Sequence, residues 1–151
     1  MTQKRKMSSA KRFFSEEQKK AISEAIAKAE HNTSGEICVH IETKCKADVL
    51  DRAAKIFSKL KIDKTKLRNG VLFYLAVEDK KFAVLGDQGI NTAVPPDFWN
   101  NTKEHMLAKF KEQKFTEGLC EGIEMAGKQL KEYFPHQKND VNELPNEVSF
   151  K

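Results

Sequence analysis

This 151-residue sequence predicts an α/β domain in αβα layers: a small mixed β-sheet, built from a βαβ unit plus a β-hairpin, covered by about four helices. Three observations carry that expectation. Residues 71–77, Val-Leu-Phe-Tyr-Leu-Ala-Val, form an uninterrupted apolar run rich in β-branched and aromatic residues, as in a strand buried on both faces. Apolar residues recur at helical spacing in the segments on either side. A strand, a helix and a strand follow one another before the run ends, which makes the two strands parallel and the crossover right-handed.

The elements follow in chain order. Ser15 with Glu16, Glu17 and Gln18 is a capping box, its acids set against the helix dipole. Ala21, Ile22, Ala25, Ile26 and Ala29 then repeat as the stripe of a first helix. Past Gly35, the residues Ile37, Val39 and Ile41 alternate with Cys38, His40 and Glu42, predicting a strand over 36–42 with one buried face. Asp48 caps a second helix carrying Leu50, Ala53, Ala54, Phe57 and Leu60, and residues 61–68 are a basic connector. The Asn69-Gly70 turn opens the central strand, 70–77. Glu78-Asp79-Lys80 is a polar break, and 81–85 returns as the hairpin partner. Gly86 and Gly89 bracket Asp87 and Gln88 in a tight loop. A Pro95-Pro96 loop leads to a helix capped by Asp97 and anchored in the core by Trp99, with Met106, Leu107 and Phe110. Thr116 begins the last helix and Pro135 stops it. Gly118, Gly122 and Gly127 each cost about 1 kcal/mol inside that helix, which implies close approach of another backbone. The organisation expected is a flexible basic arm at 1–12, a domain at 13–134, and a polar tail at 135–151 that lies along the surface or stays mobile.

The net charge of +5 resides in the arm. Lys4, Arg5, Lys6, Lys11 and Arg12 stand there without an acid, leaving 22 cations against 22 anions in the rest of the chain. The basic pI therefore describes a terminus and not a basic globular face, so no nucleic-acid partner is expected. No apolar run reaches the roughly 18 residues of a membrane span, and the start lacks the apolar core of a signal peptide. Cys38, Cys45 and Cys120 are odd in number and form no CxxC pair, which suits a reducing compartment. The expectation is a cytoplasmic protein.

Topology sends polar residues to two edges of the sheet. Glu42, Thr43, Glu78 and Asp79 belong to the carboxyl edge of the parallel pair. Glu36, Arg68, Asn69, Gly86 and Asp87 belong to the opposite one. Strand carboxyl ends favour the first edge as a ligand site, whereas the glycine-bracketed loop, open to close backbone approach, favours the second. His40 lacks further ligand spacing and reads as structural. Gly86-x-x-Gly89 is neither a dinucleotide fingerprint nor a helix-flanked KH loop, and no P-loop or serine-nucleophile elbow is present.

An ordered set of segments resembles the TPM-domain family: the 15–18 capping box and its helix, Gly35-Glu36-Ile37, Arg68-Asn69-Gly70-Val71-Leu72, the hairpin, Gly86-x-x-Gly89-Ile90, and Phe115-Thr116-Glu117-Gly118-Leu119 followed by Gly122. The likeness covers roughly residues 13–134 and implies an αβα domain around a small mixed sheet. It also implies proteins that are often exported or membrane-tethered. Some members bind calcium or show acid phosphatase activity, and others act as accessory proteins in membrane complexes. The family commonly has Asp-Asn-Gly where Arg68-Asn69-Gly70 stands, and Gly-Leu-Glu where Gly89-Ile90-Asn91 stands. A cation and an amide thus replace two carboxylates, against the several anionic oxygens that calcium prefers. The reading that follows is a soluble binding or accessory domain with an unknown protein partner. Its metal- or anion-binding edge comprises Arg68, Asn69, Asp87, Asn91 and Glu36, and a divalent metal such as calcium is the cofactor to test. The alternative is a metal-assisted acid phosphatase, which needs a metal or nucleophile that no residue pattern here supplies.

Overall fold

The computed structural model describes residues 9–137 and 142–151. The central run forms the expected strand, β2 (Gly70–Ala76), paired in parallel with β1 (Glu36–Glu42) from Glu36 opposite Gly70 to Glu42 opposite Ala76. It pairs antiparallel with β3 (Lys81–Gly86) on its other side. A fourth strand, β4 (Ser149–Phe150), lies parallel to β1, so the sheet order is β3-β2-β1-β4. The helices are α1 (Ser9–Phe13), α2 (Glu16–Glu30), α3 (Val49–Lys59), α4 (Gln88–Ala93), α5 (Asn100–Lys111) and α6 (Phe115–Tyr133), with a 3₁₀ turn at Ile62–Lys64.

Two cores flank the sheet, as the alternation of side chains along its strands requires. Ile37, Val39, Ile41, Val71, Phe73 and Leu75 face α2, α5 and α6, meeting Ile22, Ile26, Met106, Ile123 and Leu130. Cys38, Leu72, Tyr74 and Ala76 face α3 through Ala53, Ile56 and Phe57, together with Ile62 and Leu144. The predicted capping box is formed: the Ser15 side chain accepts from the Gln18 N–H, and the Gln18 side chain accepts from the Ser15 N–H. The helical glycines are contact points. A methyl group at Gly127 would lie 2.8 Å from the Ala29 Cβ, which is how α2 and α6 come so close.

Several expectations differ from what is observed. The polar side of β1 is buried along with its apolar side, because α3 covers that face and β4 closes the edge. The tail is part of the fold where it is described: Leu144 enters the second core, and the Lys151 N–H donates to the Ile41 carbonyl at 2.9 Å. Residues 1–8 of the expected arm lie outside the described residues. Its end forms α1, where Ala10 is buried and donates its N–H to Thr43 Oγ1 at 3.1 Å. The Gly86–Gly89 loop continues into α4, capped by Asp87. The next helix begins at Asn100 and not at Asp97, whose carbonyl instead accepts from the Asn100 N–H in a turn. Trp99 is buried against Phe98, as expected of a core anchor.

Candidate functional site

The amino edge of the parallel pair is built around the turn that precedes β2. Arg68 adopts a left-handed conformation (φ 51°), which reverses the chain between the 3₁₀ turn and the strand. Its carbonyl accepts from the Gly89 N–H at 2.8 Å, while the Asp87 N–H donates to the Gly70 carbonyl at 2.9 Å. These bonds bring the α4 loop onto the turn. Gly89 is required there, since a Cβ would sit 2.3 Å from the Leu67 carbonyl oxygen. The Asn69 carbonyl accepts from the Glu36 N–H at 3.2 Å, which fixes the start of β1 against the same turn.

On this frame Arg68 and Asp87 form a two-pronged ion pair. Arg68 Nε donates to Asp87 Oδ2 at 2.7 Å, and Nη2 donates to Oδ1 at 2.9 Å. The same Oδ1 accepts from the Gln88 N–H at 2.7 Å, capping α4. Both carboxylate oxygens are thereby engaged. The Asp87 side chain is 6% exposed, whereas the Arg68 side chain is 45% exposed and faces an open cleft of about 430 Å³. Asp87 hydrogen bonding, reinforced by the Asp87 and Asp63 charges against the cost of partial desolvation, holds the guanidinium pKa above its ordinary value. Asn91 lines this cleft and donates Nδ2 to the Gly86 carbonyl at 3.2 Å, and Ser58 and Thr92 add hydroxyls.

The other two predicted residues lie apart from the cleft. Asn69 is buried, with Nδ2 turned to Ser34 Oγ at 3.4 Å. Glu36 accepts from the Glu143 and Leu144 N–H groups and lines a second pocket, about 200 Å³, with Glu30, His31, Ser34 and His136. Arg68, Asp87 and Asn91 thus share one site, while Glu36 organises the returning tail.

Glu30 in the second pocket was not legible as special in sequence. Burial pushes its carboxyl up to about 7; the Ile37 N–H, donating at 3.0 Å, pulls the other way, and the Glu36 charge adds to the rise. A carboxyl raised on folding takes up a proton between its unfolded value near 4.5 and its folded value near 7. Its effect is thus a stability that falls as pH rises through that window and is flat outside it. The Glu30→Gln variant is expected to remove this slope. It should also gain roughly 2 kcal/mol above pH 7, discounted for partial exposure, in urea denaturation at pH 5 and pH 8.

The carboxyl edge holds a buried network that the strand pattern left hidden. Glu42, 3% exposed, receives Arg52 Nε at 3.0 Å, the Arg52 Nη2 group, the Tyr74 hydroxyl at 2.5 Å, and His40 Nε2 at 3.3 Å. The other ring nitrogen of His40 lies 2.6 Å from Ser149 Oγ, linking β1 to β4. Burial lowers the His40 pKa, its bond to Glu42 opposing that shift. The structural role expected of this histidine agrees with these partners. Asp79, also assigned to this edge, accepts from the Cys45 N–H at 2.6 Å. Among the described residues no group of three His, Cys, Asp or Glu side chains is arranged to hold a metal ion.

A model of the TPM domain matches residues 8–129. The chain belongs to the TPM-domain family. The BA42 protein of the psychrophilic bacterium Bizionia argentinensis, solved by NMR, is 52% identical. It superposes with a TM-score of 0.88 over 92% of this chain and 96% of its own. Two further NMR structures share the fold at low identity. The N-terminal domain of a P. gingivalis protein is 18% identical (TM-score 0.67, over 83% of this chain and 82% of that one). The N-terminal domain of a Corynebacterium glutamicum protein is 9% identical (TM-score 0.61, over 85% and 78%). No curated protein matches the chain. In this TPM domain no helix among the described residues is long and apolar enough to cross a membrane.

Proposed function

We propose that this TPM domain is a binding or accessory module, not a phosphatase, and that it recognises an oxyanion-bearing ligand in the cleft at Arg68, Asp87 and Asn91. The observation that carries this reading is the engagement of Asp87. Arg68 holds both of its carboxylate oxygens, so a divalent cation reaching Asp87 has to displace a guanidinium of like charge. The half-exposed guanidinium instead offers its remaining N–H groups to an oxygen ligand, beside the Asn91 amide and the Ser58 and Thr92 hydroxyls. Binding supplies the partner or effector function, and no bond in the ligand is broken. Cys38 and Cys120 are poor thiol nucleophiles: burial pushes Cys38 up to about 12 and likewise raises Cys120.

The second reading, metal-assisted hydrolysis of phosphate esters, rests on the family resemblance. Turnover of an aryl phosphate, measured with and without calcium or magnesium, separates the two. The binding module gives no turnover above background under either condition, and a metal-dependent rate abolished by Asp87→Ala establishes the hydrolase. In the binding reading Asp87→Ala leaves a folded protein, less stable by about 1 kcal/mol from the lost helix cap. It weakens phosphate binding because Arg68 is no longer held in place. Circular dichroism and a phosphate titration of the same sample check both parts.

A further inference from the structure

At the hairpin end of the sheet, away from the Arg68 cleft, a pocket of about 420 Å³ opens between β2–β3, the end of α5 and the start of α6. That volume lies within the roughly 300–1,000 Å³ typical of small-molecule sites. Its floor is the buried pair Leu75 and Val77. Its walls are aromatic: Phe82 and Phe110 meet edge to face at 5.0 Å, and Phe110 stacks on Phe115 at 5.4 Å. Phe13 of α1 adds an edge contact to Phe115 at 5.0 Å. At the mouth Phe13 and Leu107 stay 36% and 44% exposed, two of the four large apolar side chains left open to water among the described residues. Water is poorly matched to such a wall, and an apolar occupant gains from covering it.

The polar part of the lining is one-sided. Lys80 and Lys111 stand at the rim with Gln113, and no acid lines the pocket. Neither lysine enters an ion pair among the described residues, whereas Lys109 and Lys114 nearby pair with Glu117, Glu121 and Glu112. An apolar cavity with two cations at its mouth matches an amphipathic anion. A stable protein partner needs about 800 Å² on each side, more than one concave pocket presents.

We propose that this pocket binds a free fatty acid, the acyl chain lying against Phe82, Phe110 and Phe115 and the carboxylate resting between Lys80 and Lys111. The test titrates the full chain with dodecanoate, dodecanol and dodecylamine below their micellar limits, read by amide and methyl shifts. Dodecanoate should give saturable shifts at Leu75, Phe82, Leu107 and Phe115, with dodecylamine weaker by about tenfold or more. Exchanging both rim lysines, Lys80→Gln with Lys111→Gln, should weaken dodecanoate about tenfold and leave dodecanol unchanged. Equal binding of the amine and the acid overturns the proposal, as does the absence of saturable shifts at these residues. Sedimentation with phosphatidylglycerol vesicles, in a chain that ignores dodecanoate, assigns the patch to a membrane surface instead. If Leu107→Lys alone, with no fatty acid present, shifts the amides of residues 1–8, the occupant is the chain's own N-terminal segment and the proposal fails.

Discussion

Replacing Gly89 by alanine is expected to cost about 3 kcal/mol or more, or to prevent folding, a larger effect than most surface substitutions produce. The added methyl group meets main-chain atoms and not the end of a flexible side chain: the Leu67 oxygen at 2.3 Å and the Arg68 oxygen at 2.6 Å. Relief requires moving α4 away from the turn, which breaks the bond from the Gly89 N–H to the Arg68 carbonyl and pulls Asp87 off Arg68. Gly35→Ala is the matched control. Its nearest new contact is 3.2 Å, to the terminal carbon of Leu130 and not to main-chain atoms, so the overlap is a few tenths of an ångström and the cost should be far smaller. Urea midpoints of the two variants compare them directly. Equal midpoints would show that the loop is not seated on the turn as described.

Glu42→Gln is the second large effect expected, a loss of about 3 kcal/mol, because it breaks one partner out of a buried charge network. Burial by itself raises the Glu42 pKa. Hydrogen bonds from Arg52 and Tyr74, with the Arg52 charge, outweigh it and hold the carboxyl at about 2. A carboxyl depressed from 4.5 to about 2 contributes stability that is complete above its unfolded pKa. That contribution is lost as pH falls through the window between the two values. The native protein should therefore lose stability between pH 4.5 and 2, and the glutamine variant should lack that component of the slope. Removing Glu42 also leaves Arg52 without its anion and loosens His40, so β4 is expected to exchange its amide hydrogens faster in the variant.

The central sheet was legible because a run such as 71–77 has few alternatives to a doubly covered strand, and its partners followed from spacing and handedness. β4 was not legible. Two residues carry no periodicity, and their pairing with His40 and Ile41 joins positions more than a hundred residues apart. For the same reason Glu42 looked like an edge carboxylate: Arg52, which neutralises it, and Tyr74, which donates a hydrogen bond to it, come from a separate helix and strand. At the candidate site, Arg68, Asp87 and Asn91 converge because the Asn69-Gly70 turn and the Gly86–Gly89 loop are local features that glycine announces in sequence. Glu36 and Asn69 share the edge but point into other surroundings. The backbone position of a residue follows from register, whereas its side-chain partner here depended on where residues 143–144 return. The burial of Asp87 under the Arg68 guanidinium was not readable from the sequence.

The most direct test of the binding-module account is an amide-shift titration of the full chain with phosphate, calcium and magnesium, each alone. Phosphate should move the amides of Arg68, Gln88 and Asn91, and this response should disappear in Arg68→Ala. Calcium and magnesium should leave those amides in place while Arg68 occupies Asp87. Calcium shifts centred on Asp87 in the unaltered chain, or phosphate shifts centred on Glu42 and Glu78, would contradict the binding-module account.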